Sequence, residues 1–196
     1  MKRAFDILMS GLGLIALGPL FVILAVWIKA DSEGPVFYRQ TRVGLKNRDF
    51  RIFKFRTMRC GADRQGLITV GGRDPRVTRS GYYIRRYKLD ELPQLINVFI
   101  GDMSLVGPRP EVRKYVDMYT AEQMRVLDVR PGITSLASIR YRDENELLAA
   151  SENPDDTYIN KVMPDKLAID LEYVRDAGLL SDIRLILKTF AAVIGR

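Results

Sequence analysis

The sequence predicts an α+β protein that is mostly helical, with an N-terminal re-entrant membrane helix, a small β-hairpin and amphipathic interfacial helices. An uncharged run of 22 residues lies between Asp6 and Lys29. Residues 36–43 and 50–56 have the composition and alternation of short strands. Helix-start signals and helical spacing recur from Tyr82 to the C-terminus.

The composition restricts both the domain count and the chemistry. At 196 residues with 47% hydrophobic content, the chain is long enough for one domain with a real core. The absence of histidine excludes Ser-His-Asp and Cys-His mechanisms and imidazole zinc sites. A single cysteine, Cys60, excludes an internal disulfide framework. Catalysis therefore depends on carboxylates, hydroxyls, Lys, Arg, the one thiol or an oxygen-bound metal.

The positive charge is concentrated in one part of the chain. The net charge is +7, and residues 29–89 carry 16 basic but only 5 acidic side chains. Residues 90–196 carry 13 basic and 18 acidic ones. A basic block of this kind indicates an anionic partner, which is a nucleotide, a lipid surface or a nucleic acid.

The uncharged run is long enough to cross a membrane. As a helix, its 22 residues reach roughly 33 Å. A secretory signal peptide is a poor alternative, because the run is too long and lacks an A-x-A cleavage site. An ordinary spanning helix is the second alternative. Gly18 and Pro19 lie mid-run, where Pro19 removes a backbone donor and predicts a kink.

The charges flanking this run favour a re-entrant helix. Lys2 and Arg3 precede it, while Lys29 and several further cations follow it. The positive-inside rule then places both ends on the cytoplasmic side. We therefore divide the chain into a membrane helix, residues 1–30, and a single globular unit, residues 31–196.

Two further elements follow from local patterns. Residues 44–49 join the two strand-like runs as a hairpin, in which Lys54 and Arg56 alternate with Phe53 and Phe55. A solvated charged strand face is the simpler interpretation of those cations. At the C-terminus, residues 182–196 have apolar residues at helical spacing, which suits either a core-facing helix or one in the membrane interface.

The densest signal is the acidic pair Asp90 and Glu91. Arg85, Arg86 and Lys88 precede the pair. Pro93 is tolerated only in a first helical turn, so the pair should lie beside a helix N-terminus, where simple capping also explains acidic residues.

A second signal follows downstream, where Arg109 and Pro110 indicate another helix start suited to phosphate. Carboxylates, several cations and an oxygen-bound divalent ion are the parts that phosphoryl transfer needs.

Four ordered motifs make this pattern specific, and through them the chain resembles the bacterial sugar transferases. The likeness is to the monotopic phosphoglycosyl transferases related to PglC and to the catalytic domains of WbaP- and WcaJ-like enzymes. It runs from the membrane segment to about Thr134. The motifs are 54–58 (KFRTM), 89–94 (LDELPQ), 101–110 (GDMSLVGPRP) and 130–134 (RPGIT).

The resemblance implies an activity and a place in the cell. Such enzymes transfer a phospho-sugar from a UDP-sugar to polyprenyl (undecaprenyl) phosphate, which yields polyprenyl-diphosphate-sugar and UMP. This is the first membrane step of O-antigen, lipopolysaccharide, capsule, exopolysaccharide or glycoprotein glycan synthesis. The implied location is monotopic, at the cytoplasmic face of the bacterial inner membrane, with residues 31–196 as a cytosolic catalytic domain whose interfacial helices surround the active site. Implied partners are membrane lipid and downstream glycosyltransferases, with no nucleic acid, while a homodimer stays open.

The resemblance also assigns residues. Asp90 becomes the nucleophile, which forms a covalent phospho-sugar ester, and a Mg²⁺ ligand. Glu91 adjoins it and serves either the acceptor's proton or its positioning. Gly18 and Pro19 stand where the family has a kinked Ser-Pro. The implied substrate-binding residues are Lys54, Arg56, Arg85, Arg86, Arg109 and Pro110.

Departures from the family pattern leave the sugar undetermined. Ser135 and Ser138 replace a usual Gly and Gln, and Lys88 replaces a small hydroxyl residue.

Two other interpretations stay open from the residues. A membrane-tethered polyanion-binding module would gain nothing from Asp90 and Glu91 within its cationic surface. A lipid-linked phosphatase would use the same parts with water as the acceptor.

Overall fold

The computed structural model describes residues 1–62 and 74–194. Within them, 3₁₀ turns cover Leu45–Asn47, Leu89–Glu91 and Gln123–Asp128, and a π-helix covers Tyr158–Val162. The strands are β1 Phe37–Val43, β2 Asp49–Phe55, β3 Ser104–Val106 and β4 Gly132–Thr134. The helices are α1 Lys2–Asp31, α2 Arg79–Arg86, α3 Gln94–Ile100, α4 Arg113–Val116, α5 Leu136–Arg140, α6 Glu144–Ala149, α7 Pro154–Thr157, α8 Met163–Arg175 and α9 Leu179–Ile194. The predicted α+β, mostly helical class is confirmed.

Helix α1 is a long apolar helix with an exposed surface. By length and composition it is able to cross a membrane, and only 11% of its most apolar window is buried. A core helix would be covered by the rest of the protein, so this exposure favours a lipid environment. The helix continues through Gly18 and Pro19, and the predicted kink there stays a prediction. Its large exposed side chains are Ile7, Leu8, Met9, Leu12, Ile15, Val22, Ile23, Val26 and Trp27.

The N-terminal end of α1 is bound to the globular unit by polar contacts. Lys2 forms an ion pair with the buried Asp182 of α9 and donates to the backbone carbonyl of Val106 at 3.0 Å. Asp6, which is also buried, accepts from the Ser104 hydroxyl and from the Leu105 N–H, each at 3.1 Å. Hydrogen bonds to buried charges are among the strongest, so this end is firmly held.

The C-terminal end of α1 contacts the same unit about 30 residues later. Asp31 accepts from the backbone N–H of Ser80 at 2.8 Å and from its hydroxyl at 2.7 Å. Between the two ends, Leu24 and Ile28 pack with Phe55 and Ile84 in one apolar cluster. The globular unit therefore lies alongside α1 rather than at one of its ends.

The predicted hairpin is confirmed. Strands β1 and β2 pair antiparallel, with Phe37 opposite Phe55 and Val43 opposite Asp49. The turn between them has left-handed backbone at Lys46 and Asn47. Ile52 and Phe55 of β2 are both buried, and because side chains alternate along a strand they lie on opposite faces of it. Ile52 packs with Val98 and Met103, whereas Phe55 packs against α1.

A two-stranded parallel sheet fixes the segment that carries Arg109. Ser104 lies opposite Gly132, and Val106 lies opposite Thr134. A Cβ on Gly107 would lie 2.3 Å from the Arg130 carbonyl oxygen, so only glycine permits this close approach. The chain leaving β3 therefore runs directly against β4.

The C-terminal helices build a second core and return to α1. Val112, Tyr115, Val126, Leu148, Tyr158, Val162, Met163 and Leu167 form the main apolar cluster. Helix α9 begins three residues earlier than predicted and buries Leu185 against Val106 and Tyr173, while Ile183 and Leu187 stay exposed. It packs on the domain, as the core-facing interpretation expects, and presents an apolar edge outward; its place in the membrane interface stays a prediction.

Candidate active site

The acidic pair lies in a tight turn between α2 and α3. Helix α2 ends at Arg86, and Lys88 then adopts left-handed backbone with φ 56° and ψ 22°. The 3₁₀ turn Leu89–Glu91 follows, with α3 beginning at Gln94. The pair therefore lies beside a helix N-terminus, as predicted. A lysine at positive φ is strained, and such strain concentrates at functional sites.

Glu91 joins two cations from distant parts of the chain. Its Oε1 accepts from Lys54 Nζ at 2.8 Å and also from Arg109 Nη2. Its Oε2 accepts from Arg109 Nη1 at 3.3 Å, which completes a two-pronged contact. We call Lys54, Glu91 and Arg109 the Glu91 bridge. It brings β2, the acidic turn and the segment after β3 to one place.

The charges of this bridge are fixed by their mutual proximity. Burial alone would raise the pKa of Glu91, but Arg109 and Lys54 hold it well below its ordinary value. Glu91 in turn raises the pKa of Arg109 against the effect of burial. Glu91 is therefore ionised at neutral pH and is a weak proton acceptor.

Asp90 has the opposite environment to its neighbour. Within residues 1–62 and 74–194 its carboxylate has no hydrogen bond or ion pair. Burial raises the pKa of Asp90, which nearby Lys54 opposes and Glu91 reinforces. Arg85 and Lys88 also act to lower that pKa. Among two adjacent carboxylates, one is fully engaged and the other has its oxygens available for an incoming group.

The remaining predicted residues are distributed unevenly. Arg85 is close enough to Asp90 to influence its pKa. Arg86 is exposed, with its guanidinium 6.0 Å from the Tyr87 ring centroid. Pro110 contributes its backbone carbonyl, which accepts from Arg42 at 3.1 Å. The expected helix start at Arg109 and Pro110 is wrong, because α4 begins only at Arg113.

Arg56 lies apart from the other predicted substrate-binding residues, and its predicted role stays a prediction. Its side chain is buried, and its guanidinium donates to the carbonyls of Ser32 at 2.7 Å, of Ile28 at 3.4 Å and of Glu33. These carbonyls lie at and beyond the last turn of α1, which lacks intrahelical donors for them. Arg56 therefore ties α1 to β2 and lies outside the Glu91 bridge.

Two features of the site escaped the sequence analysis. Burial is the main cause that lowers the pKa of Lys54, and the nearby Arg42 adds to it after Arg109. The sequence did contain a signal for Arg42. Side chains alternate along a strand, so Arg42 lies on the same face of β1 as Tyr38, which pairs across the hairpin with Lys54. The left-handed Lys88 had no signal, because lysine is not a residue that favours positive φ.

The donor chemistry fits a Mg²⁺ ion held partly by substrate. In the described part of the chain, no group of three acidic, Cys or His side chains forms a ready-made metal site. Mg²⁺ commonly binds through one or two carboxylates together with substrate phosphates and water. The unengaged Asp90 carboxylate meets that requirement, whereas Glu91 is already occupied.

Comparison with known proteins gives this site its family context. A chain from Aeromonas hydrophila named UDP-N-acetylgalactosamine-undecaprenyl-phosphate N-acetylgalactosaminephosphotransferase is 39% identical over 98% of this chain and 43% of its own length. A UDP-glucose:undecaprenyl-phosphate glucose-1-phosphate transferase from Caulobacter vibrioides is 37% identical over 98% of this chain and 69% of its own. The exopolysaccharide production protein ExoY of Sinorhizobium fredii is 36% identical over 98% of this chain and 84% of its own length.

The chain thus spans under half of the first relative and most of the other two. The family model described as bacterial sugar transferase matches residues 1–196. By that full-length match, this chain belongs to the bacterial sugar transferase family.

Proposed function

We propose that this protein is a phosphoglycosyl transferase that moves a sugar-1-phosphate from a UDP-sugar to undecaprenyl phosphate and releases UMP. The observation that carries the proposal is the contrast between the unengaged Asp90 and the bridged Glu91 in one turn. The names of the Aeromonas and Caulobacter relatives describe the same class of reaction.

The proposed reaction has two displacements at one phosphorus. An Asp90 carboxylate oxygen forms a bond to the β-phosphorus, and the bond from that phosphorus to the bridging oxygen breaks, which releases UMP. An oxygen of undecaprenyl phosphate then attacks the same phosphorus, and the Asp90 carboxylate leaves. A covalent intermediate divides one difficult transfer into two easier steps.

The cations of the site stabilise the charge that develops on the phosphates. Arg109 and Lys54 are held in place by Glu91 before the substrate arrives. Pre-positioned donors of this kind lower the barrier because little reorganisation is needed. Arg85, on the side of Asp90, would contact the same phosphates. When bound, Mg²⁺ on Asp90 and the diphosphate would supply further charge neutralisation.

UMP release from purified protein tests this function. Vesicles that contain undecaprenyl phosphate are supplied with Mg²⁺ and one UDP-sugar from a panel that includes UDP-glucose and UDP-N-acetylgalactosamine. We expect sustained UMP release for at least one sugar, matched by lipid-linked sugar diphosphate, and none without acceptor beyond about one equivalent of enzyme. Release of free sugar phosphate at the same rate without the lipid would instead indicate a phosphatase.

We further propose that the protein is monotopic at the cytoplasmic face of the bacterial inner membrane. Both ends of α1 bind the same globular unit, through Lys2 and Asp6 at one end and Asp31 at the other. A helix that crossed the bilayer would carry its two ends to opposite sides. Re-entry of α1 satisfies the contacts, its exposed apolar surface and the flanking positive charge together.

Cysteine labelling tests this topology. The exposed Cys60 is first replaced by Ser, and Ala4→Cys and Arg48→Cys are introduced singly at exposed positions. With a membrane-impermeant maleimide, we expect both cysteines to react in inverted vesicles and neither in intact spheroplasts. Reaction of Ala4→Cys from the periplasmic side alone would establish a spanning helix. Detergent-solubilised protein, in which both sites should react, is the control.

A further inference from the structure

The segment that follows β3, residues 107–112, carries Arg109 and runs as an irregular loop to the start of α4. Pro108 and Pro110 flank Arg109, and proline lacks the backbone N–H that regular pairing needs. The direction of the Arg109 side chain therefore depends on the particular groups that hold this loop in place.

The first part of the loop rests on β4. Gly107 N–H donates to the Thr134 carbonyl at 3.0 Å, and the Pro108 carbonyl accepts from the Gly132 N–H at 2.9 Å. Both hydrogen bonds lie before Arg109 in the chain. The loop beyond Arg109 is therefore positioned by other contacts.

Those contacts come from Arg42 of β1. Its Nη1 donates to the Pro110 carbonyl at 3.1 Å and lies 3.6 Å from Glu111 Oε2. Its Nε and Nη2 donate to Gln40 Oε1 at 3.0 and 2.7 Å. A guanidinium is planar and rigid, so fixing two of its nitrogens on Gln40 also fixes the direction of the third. Arg42 thus holds the residue directly after Arg109 in a defined place.

Glu111, the second partner of Arg42, is itself fixed on its other sides. Its Oε1 accepts from the Tyr158 hydroxyl at 2.6 Å. Its backbone carbonyl accepts from the Val43 N–H at 2.8 Å, which is a further link between the loop and β1. The carboxylate therefore cannot move away from Arg42 without breaking contacts to two other elements.

We call Gln40, Arg42 and Glu111 the Arg42 clamp. The Arg42 and Glu111 side chains are only 20% and 15% exposed. A mostly buried ion pair is a weak source of stability, because apolar side chains of similar size would serve the packing as well. The clamp has a directional consequence, however. Strand β2 carries Lys54, and β1 holds the loop of Arg109, so one hairpin positions both cations of the Glu91 bridge.

We propose that Arg42 is a positioning residue, which holds the Pro110 carbonyl and Glu111 and thereby sets the Arg109 guanidinium against Glu91 beside Asp90. This inference rests on the proposed function, because it assigns the Arg109 side chain to the reacting phosphates. Arg42 acts through Arg109 and does not touch the substrate, since each of its three guanidinium nitrogens already has a partner in the protein.

Two substitutions in the clamp test its effect on the rate of UMP release under single-turnover conditions. Arg42→Met keeps much of the side-chain stem but removes every donor, and we expect the rate to fall at least about tenfold. Gln40→Leu keeps both charges of the clamp but frees the guanidinium to turn, and we expect a loss of about fivefold. The second variant supplies the measurement if Arg42→Met does not fold.

The control is Arg113→Met, which breaks another arginine contact of the same hairpin. Arg113 pairs with Asp49 and donates to Asn47, and so ties the hairpin to α4 without contacting the loop of Arg109. We expect this variant to lower the unfolding temperature and to leave the rate within about twofold. Unfolding temperatures of all variants are measured beside the rates.

The decisive measurement is the coupling of the clamp to Arg109. Arg109→Lys keeps a cation but loses the two-pronged contact with Glu91, and we expect it to be slower on the order of tenfold. In that background, Arg42→Met and Gln40→Leu should each change the remaining rate less than about twofold, because residues that act through one another are not additive. A role in general stability would lower the rate equally in both backgrounds.

Two results would overturn the proposal. One is an undiminished rate in folded Arg42→Met or in Gln40→Leu, and the other is a loss that persists in full in the Arg109→Lys background. The proposed function fails in a different way, through the absence of UMP release from the unmodified protein. A normal rate in Arg109→Lys alone would contradict the role of Arg109, and with it this inference, so the failures are distinguishable.

Discussion

Replacement of Asp90 by Asn is expected to lower UMP release by at least about a thousandfold, because the amide has the same shape but cannot serve as the nucleophile. The structure indicates that this substitution should affect the reaction without disturbing neighbouring contacts. The described part of the chain provides no hydrogen bond to the Asp90 carboxylate, so the change breaks no contact there. Burial also disfavours the charged form, and folding should therefore be retained. The rate is measured with donor, acceptor and Mg²⁺ present.

Two companion measurements make the Asp90 result interpretable. Asp117→Asn changes an exposed carboxylate outside the site and should leave the rate within about twofold. Rapid acid quenching of the unmodified protein with labelled UDP-sugar should trap label on residue 90. Normal turnover by the Asp90→Asn protein, or product accumulation with no labelled enzyme, would contradict the covalent route.

The parts of the fold that were predictable from sequence are those set by local patterns. The uncharged run identified α1, and period-2 alternation identified the hairpin with its strand bounds within a residue. Pro93 placed the acidic pair beside the start of α3. Each of these rests on neighbours within a few positions, for which local steric and solvation rules suffice.

Lys54 and Arg56 show where that information ends. Both are cations of one strand-like run, and the alternation treats them alike. In the structure, Lys54 donates to Glu91, whereas Arg56 binds the carbonyls at the end of α1. The difference arises because β2 ends at Phe55 and α1 packs against that end, a tertiary fact that no local pattern contains.

Glu91→Gln is the second substitution expected to have a large effect, because it removes the charge that holds two cations together. Without it, Lys54 and Arg109 repel one another in a mostly buried place, and neither is held for the phosphates. We expect UMP release to fall on the order of a hundredfold. Glu152→Gln, at an exposed position, should leave the rate unchanged.

The half-reactions decide what Glu91 does. If it served as a base for the acceptor, Glu91→Gln would spare the first displacement, and exchange of labelled UMP into UDP-sugar without acceptor would proceed normally. The depressed pKa of Glu91 and its three contacts from Lys54 and Arg109 argue against that role. A residue that holds the phosphate-binding cations serves both displacements at the same phosphorus. We therefore expect UMP exchange and overall transfer to fall by the same factor in Glu91→Gln. Normal exchange with slow transfer would instead show that Glu91 acts in the acceptor step.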